Sequence, residues 1–237
     1  MFSELDSLLS SVGRPDALKS DYIRAIDVDN CLGKRSGRTR VLTYRHLTDL
    51  YSLDPAVVLF RALVYFWRKD PAGRPLVFFL CANARDSVLR ETTPFILQFS
   101  EGSIVSRGAV EAYIDANDPG RFSPATLKST AQNINASCTQ VGLLTGRASK
   151  IRTRAKPTAG SVSYALLLGY LMGIRGESLF RSDQIKLLDC SFEKALDLAE
   201  EASRKGWIVL KRVGDVIEVL FPSLLSVQDR EIIREQS

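Results

Sequence analysis

Cationic side chains of the types that bind phosphate are concentrated in one short stretch of the sequence. The five residues of this basic segment are Arg147, Lys150, Arg152, Arg154 and Lys156. Guanidinium and ammonium groups at this density neutralise the phosphates of a nucleic acid. From Lys150 onward the cations alternate with Ile151 and Thr153. This alternation is typical of a β-strand, and it predicts that the last four cations share one face.

A helix is predicted immediately before the basic segment. Ser123 is placed as its N-cap and Pro124 as its first residue, and Gly142 is placed just beyond its end. Apolar residues recur at intervals of 4, 3, 4 and 3 and predict a buried stripe, which consists of Leu127, Ala131, Ile134, Cys138 and Val141.

The opposite face of this helix is predicted to be exposed, and it contains no acidic residue. Amides and hydroxyls can donate to and accept from base edges, and alanines permit close approach in a groove. The face also includes Asn135, Ala136, Thr139 and Gln140. The residues predicted to contact DNA from the helix and the turn before it are Arg121, Ser123, Thr126, Lys128, Ser129, Gln132 and Asn133.

The net charge of +5 is unevenly distributed along the chain. Residues 1–118 carry 15 basic and 15 acidic side chains, and residues 177–237 carry nine basic and twelve acidic ones. Residues 119–176 carry eight basic side chains and no acidic one. At the rate of the whole chain this window would hold about six or seven acids, so the basicity is local and predicts a local partner.

A second basic segment lies nearer the N-terminus, between Asp29 and Asp49. It contains no acid and is followed by Arg45 and by the sole histidine, His46; its cations are Lys34, Arg35, Arg38 and Arg40. Two interpretations stay open from the sequence. The segment either clamps phosphates at a distance from the first one or is an exposed loop without a ligand.

The order of predicted elements is that of a winged helix-turn-helix. A helix capped by Ser106 is followed by a turn at 117–120, by the helix from Ser123 and by a hairpin. The same order recurs near the C-terminus, with a helix capped by Ser191 and a hairpin around Val213-Gly214-Asp215. The helix of this second unit carries four acids, Glu193, Asp197, Glu200 and Glu201. Its face would repel DNA, so we expect it to be structural or to bind a protein.

The predicted fold class is mainly α with small β-hairpin wings. Residues 1–100 form a helical N-terminal domain, residues 101–160 a basic winged helix-turn-helix, and residues 161–237 a central apolar helix followed by an acidic C-terminal winged-helix unit. The longest apolar runs, 55–67 and 163–174, are too short to span a bilayer. The first residues lack the order of a signal peptide. We therefore expect a cytoplasmic protein without a membrane partner.

Residues for catalysis or metal binding are scarce. The four cysteines lie about 50 residues apart without a C-x-x-C pair, and they are interpreted as mostly buried thiols in a reducing compartment. Nucleotide-binding glycine motifs and metal-ligand clusters are absent from the sequence. The carboxylate pairs Asp27/Asp29 and Asp86/Glu91 are better explained as polar helix faces than as a nuclease site. We predict no catalytic residue, no metal, no cofactor and no enzymatic activity.

Two segments resemble the BrxA family, small accessory components of bacterial BREX phage-defence systems. The segment from Phe122 to Gly146, FSPATLKSTAQNINASCTQVGLLTG, resembles that family's aromatic-Ser-x-x-Thr … Gly-Leu-Leu segment. The stretch from Asn30 to Thr39, NCLGKRSGRT, is similar to its Asn-x-Leu … Arg … Thr segment. The resemblance implies a mostly helical, non-enzymatic DNA-binding protein with winged helix-turn-helix units, acting beside a methyltransferase and an ATPase. It also implies RNA binding as an alternative to DNA binding, because the family has been likened to a helical RNA-binding antitermination factor.

The function expected from these observations is non-catalytic binding of double-stranded DNA by an accessory protein of phage defence. The helix from Ser123 enters the major groove and the hairpin contacts the backbone. Sequence preference is expected to be weak, since no Arg lies centrally on the helix face to bind guanine. The alternatives are a protein-interaction scaffold, an RNA-binding antiterminator-like factor and a repressor of its own operon.

Overall fold

Helices make up most of the chain in the computed structural model, which describes residues 1–14, 16–214 and 216–235. Within these ranges the chain is mainly helical with two small antiparallel sheets, as the composition and periodicity predict. The first part consists of six helices: α1 (Phe2–Val12), α2 (Lys19–Asp27), α3 (Gly37–Tyr51), α4 (Val58–Lys69), α5 (Arg74–Arg85) and α6 (Ser87–Leu97).

Side-chain caps place the boundaries of two of these helices differently from the sequence prediction. The pattern from Leu76 to Arg90 predicts one continuous helix. This is wrong, because the Asp86 carboxylate accepts hydrogen bonds from the backbone N–H groups of Val88 and Leu89 (2.9 and 3.1 Å) and starts α6 there. The sequence also predicts a basic loop from Asn30 to Arg40 and a helix from Thr43, but the loop is shorter, because α3 begins at Gly37. Ser36 caps α3 by accepting from the N–H of Thr39 (3.2 Å). The second half of the basic segment is therefore helical.

Asp54-Pro55 predicts a helix start, with Asp54 as the cap and Pro55 as the first residue, but the helix begins later, at Val58. The Asp54 carboxylate accepts a hydrogen bond from the N–H of Ala56 (3.0 Å). This local turn takes the place of a first helical turn, because Asp side chains stabilise such turns as readily as they cap helices.

The middle part carries the first predicted DNA-binding unit. It consists of β1 (Ile104–Val105), α7 (Arg107–Asn117), α8 (Pro124–Gln140), β2 (Leu144–Thr145) and β3 (Lys150–Arg152). The strands form an antiparallel sheet in the order β1-β3-β2, with Ile104 opposite Ile151 and Leu144 opposite Arg152. Because β1 precedes the two helices and pairs with β3, the sheet closes this part of the chain on itself.

A buried helix, α9 (Ala159–Leu171), follows and lies at the centre of the protein, as predicted. All of its residues from Ala159 to Gly169 are buried, and it contacts α4, α5 and α11. The chain ends with α10 (Asp183–Lys186), α11 (Phe192–Arg204), the hairpin β4 (Val209–Val213) and β5 (Val216–Leu220), and α12 (Val227–Glu235). Asp215 of the predicted hairpin turn lies outside the described residues.

Buried apolar side chains from every part of the chain, from Phe2 to Ile233, form one connected cluster. None of the helices in the described ranges combines the length and the apolar character needed to cross a membrane.

Candidate nucleic-acid interface

Helix α8 is positioned by the caps that the sequence predicts. The Ser123 hydroxyl accepts from the N–H of Thr126 (3.2 Å), and Pro124 occupies the first turn. At the other end Gly142 adopts a φ of 81°, and the N–H of Leu143 donates to the carbonyl of Cys138 (2.9 Å). This left-handed glycine stops the helix and turns the chain directly into the hairpin of β2 and β3.

The outer face of α8 is exposed along the length of the helix. Its described side chains are Thr126, Lys128, Ser129, Gln132, Asn133, Ala136 and Gln140, all exposed. None is acidic, and Lys128 contacts no carboxylate among the described residues. The face can therefore present hydroxyl and amide groups and one free ammonium to a ligand.

Asn135 does not belong to this face, contrary to the sequence prediction. Its side chain is 4% exposed, and its Oδ1 has no hydrogen-bond partner among the described residues. The helix is packed on more than one side, since α6, α7 and β2 all contact it. The buried arc is therefore wider than the apolar stripe alone indicates.

The hairpin tip presents two cations. Gly146 has a φ of 92°, and a Cβ there would lie 2.2 Å from the carbonyl oxygen of Ser149, so the tip is tight. Lys150 Nζ donates to the carbonyl of Gly146 (2.7 Å), which holds the ammonium group over the tip. Arg147 is exposed and has no partner among the described residues.

Arg152 is buried, and its prediction as a phosphate ligand is wrong. The residue is 3% exposed, and its guanidinium lies 2.8 Å from the Asp189 carboxylate. It also donates to the carbonyls of Leu143 and Thr153. Arg152 points toward the protein body, and Ile151 on the other side of β3 is exposed. The strand ends at Arg152, and Arg154 and Lys156 lie beyond it and are exposed, so the four cations do not share one face.

Two other predicted cations are exposed but paired with acids. Arg121 lies 3.3 Å from the Asp118 carboxylate and stacks on Phe122, and Arg154 lies 3.1 Å from Glu101. Lys156 is exposed and contacts no acid among the described residues. Exposed ion pairs of this kind exchange readily with solvent and phosphate. The prediction that Arg121 and Arg154 contact DNA therefore stays a prediction.

The second basic segment is divided by the structure. Lys34 is half-buried, and its ammonium lies 2.7 Å from Glu4 Oε1. Burial raises the pKa of Glu4, but hydrogen bonds from Lys34 and the terminal ammonium outweigh it and hold the pKa below its usual value. Arg40 is also half-buried, 4.0 Å from Asp27. Lys34 and Arg40 are therefore paired with carboxylates, whereas Arg35 and Arg38 are exposed. Phosphate binding by this segment stays a prediction.

The acids that approach the interface were not anticipated. Asp118 lies three residues from Arg121, a spacing that a helical or turn conformation brings into contact, so the sequence carried this signal. Glu101 and Asp189 lie far from their partners in sequence and are brought there by the sheet and by the loop before α11. The stretch that lacks acids in the sequence is therefore not free of acids in space.

The second predicted winged unit exposes acids, as the sequence indicates. Glu193 and Asp197 are exposed on α11, and Glu200 and Glu201 are half-buried. Glu201 forms an ion pair with Lys205 (2.5 Å), one helical turn away. This face is unsuited to phosphate.

Cys81 and Cys138 are buried free thiols. Within the described residues there is no group of three or more His, Cys, Asp or Glu placed to hold a metal ion. Burial raises the pKa of Cys138 to about 12 and that of Cys81 to about 11. Such thiols are inert at neutral pH.

No protein-family model, curated protein or solved structure matches this chain.

Proposed function

We propose that the chain is a non-catalytic protein that binds double-stranded DNA through a winged helix-turn-helix formed by residues 101–160. The observation that carries the proposal is the exposed face of α8, which lacks acids and is followed by a cationic hairpin. A surface without this role would be expected to mix Glu with Lys. The cations on or beside this face that form no ion pair with a carboxylate among the described residues are Lys128, Arg147, Lys150 and Lys156.

The dimensions of the elements suit this mode of binding. An α-helix fits the major groove of B-DNA, which is about 12 Å wide. Small side chains such as Ser129 and Ala136 let the helix approach closely, and Gln132 and Asn133 can bind the edges of bases. The hairpin that leaves α8 at Gly142 then carries Arg147 and Lys150 to the phosphate backbone.

Sequence preference is expected to be weak. Bidentate contacts of Arg to guanine are the commonest source of base discrimination, and the exposed face of α8 carries no Arg. Phosphate contacts position a protein without selecting a sequence. A protein of this kind binds many sites with similar affinity.

The biological role we propose is that of an accessory protein in a BREX-type phage-defence system, in the cytoplasm and together with other proteins of the system. Support for this role comes from the resemblance of Phe122–Gly146 and Asn30–Thr39 to the BrxA family. The first segment coincides with α8 and its caps. Non-sequence-specific DNA binding is compatible with an accessory task, since such a protein needs no site of its own.

A salt titration of binding to a duplex of about 20 bp tests the proposal. Phosphate contacts by these four cations predict a slope of log K against log salt of roughly −3 to −4 between about 50 and 200 mM. Replacement of Arg147 and Lys156 by Ala should flatten the slope by about two. Fluorescence anisotropy of a labelled duplex measures both quantities.

The matched control is Arg181→Ala, which removes an exposed arginine of the C-terminal part that is paired with Glu177 (2.7 Å). It should leave slope and affinity unchanged. A slope near zero would contradict the proposal. So would a change of slope in Arg181→Ala as large as that in the double variant. Tighter binding to an RNA of the same length would assign the surface to RNA, and a footprint at one palindrome would favour an operon repressor.

A further inference from the structure

Helix α3 presents a mixed basic and apolar stripe to solvent. The α3 stripe consists of Arg38, Val41, Leu42 and Arg45, which follow one another at helical spacing. At about 100° per residue these four positions fall within one arc of roughly 100°. The buried residues of α3, Thr43, Leu47 and Tyr51, lie on the opposite arc. The stripe is therefore the side of the helix that the protein itself does not cover.

The two apolar residues of the stripe are unusually exposed. Val41 is 59% and Leu42 45% exposed. Five of the twelve large apolar side chains that are exposed in the described residues lie between positions 18 and 42; besides these two they are Leu18, Ile23 and Val28. Val41 and Leu42 are neighbours on one arc of α3 and form an exposed apolar pair. An exposed apolar patch rimmed by polar or charged side chains is typical of an interaction surface.

The two arginines of the stripe are available to a ligand. Neither Arg38 nor Arg45 contacts an acid in the parts of the chain that the structure describes, in contrast to Lys34 and Arg40 beside them. Asp49, one turn beyond Arg45, adds a negative charge at the end of the face. Arg is enriched in protein interfaces because its planar head binds carboxylates in a bidentate manner.

The position of the apolar pair distinguishes a protein partner from a nucleic acid. Phosphates would engage the arginines and leave Val41 and Leu42 against a polar backbone, where their burial gains little. A partner with apolar side chains between two carboxylates satisfies all four residues. We therefore propose that the α3 stripe is a docking site for an acidic amphipathic helix of another protein.

The spacing of the stripe specifies this partner. Arg38 and Arg45 are seven residues apart, about 10 Å along the helix axis. A partner helix with the pattern Glu-x-x-Leu-Leu-x-x-Glu has the same spacing between its carboxylates and places its apolar pair between them. This inference does not rest on DNA binding, because the α3 stripe and the outer face of α8 belong to different elements.

A designed peptide serves as the probe. The full chain is titrated into a fluorescein-labelled helical peptide with this pattern, and into a peptide of the same composition in scrambled order. The patterned peptide should bind saturably and at least about tenfold more tightly than the scrambled one. Arg38→Glu with Arg45→Glu should abolish binding, and Val41→Ser with Leu42→Ser should weaken it at least about tenfold.

Arg147→Ala with Lys156→Ala is the matched control and should bind the peptide like the unmodified chain. All replaced side chains are exposed, so thermal unfolding should be nearly unchanged, and this is checked on each variant. Equal binding of both peptides, no binding, or wild-type binding by the serine variant would overturn the proposal. A further result would also overturn it: duplex DNA displaces the peptide from the unmodified chain, and the Val41→Ser, Leu42→Ser variant still binds DNA with full affinity. The stripe would then be a phosphate site.

Discussion

At the scale of single residues, Arg152 shows how burial changes the role of a cation. Its side chain is enclosed by β3, by the backbone after α8 and by Asp189. It connects the sheet of the candidate interface to the loop before α11. A buried charge with a carboxylate partner and two carbonyl acceptors is a structural group, and its effect on DNA binding would be indirect.

Arg152→Ala is expected to lower the free energy of unfolding by about 3–5 kcal/mol, because it leaves Asp189 partly buried without its partner. The measurement is denaturant unfolding followed by circular dichroism. Arg154→Ala is the control two residues away, and its exposed pair with Glu101 should contribute less than about 1 kcal/mol. If both replacements lowered the free energy of unfolding equally, this would contradict the assignment of Arg152 as a buried structural group.

At the scale of elements, one carboxylate joins two parts of the fold. Asp70 accepts hydrogen bonds from the N–H of Gly73 (3.2 Å) and from the N–H of Gly160 in the first turn of α9 (2.9 Å). The central helix is thus anchored at its N-terminus to the end of α4. Carboxylates at this position also interact favourably with the helix dipole.

Gly160→Ala is expected to destabilise the protein by about 1–3 kcal/mol. A Cβ at this position would lie 2.5 Å from Asp70 Oδ2 and 2.7 Å from its Cβ, so the anchoring contact must open. Gly108→Ala in α7 is the control, because nothing lies within 4 Å of a Cβ there. It should stabilise by about 0.5–1 kcal/mol, the usual preference for Ala in a helix. Equal shifts in the midpoint of denaturation would be evidence against the close contact.

At the scale of the whole molecule, the last helix is tied back to the N-terminal part. Arg61 of α4 forms an ion pair with Asp229 of α12 (2.5 Å) and donates to the carbonyl of Leu224. Ser226 donates to the same carboxylate from its N–H and its hydroxyl (2.7 Å each). Burial raises the pKa of Asp229, but the bonds from Ser226 and Arg61 outweigh it, and the pKa lies below its usual value.

A lowered carboxyl pKa stabilises the fold at pH values above the unfolded pKa of about 4, and this stabilisation is lost as the pH falls through the folded value. Asp229→Asn should therefore unfold more easily than the unmodified chain at pH 7, and the difference should shrink below about pH 3. Unfolding curves across this range measure it. Glu231→Gln, an exposed position on the same helix that forms no ion pair among the described residues, should unfold like the unmodified chain at pH 7. A difference between Asp229→Asn and the unmodified chain that persists in acid would contradict the role of the Asp229 carboxylate.

Local features were readable from the sequence wherever neighbours in the chain decide them. Ser123, Pro124 and Gly142 predicted both ends of α8, because caps depend on side chains within a few residues of the helix end. The apolar run of α9 predicted its central position, since a helix that is apolar on all sides must be enclosed. The early start of α3 was missed because a Ser-Gly pair is equally typical of a loop.

The sequence by itself determined that one region of this protein is free of acids and that its helix has a polar outer face. Only the tertiary structure decided which of its cations are free. The inward direction of Arg152 follows from the pairing of β3 with β1 and β2, and the acids beside Arg152 and Arg154 come from loops that are distant in sequence. Charge interactions depend on distance in space, and a local pattern contains no information about residues that only the fold brings near.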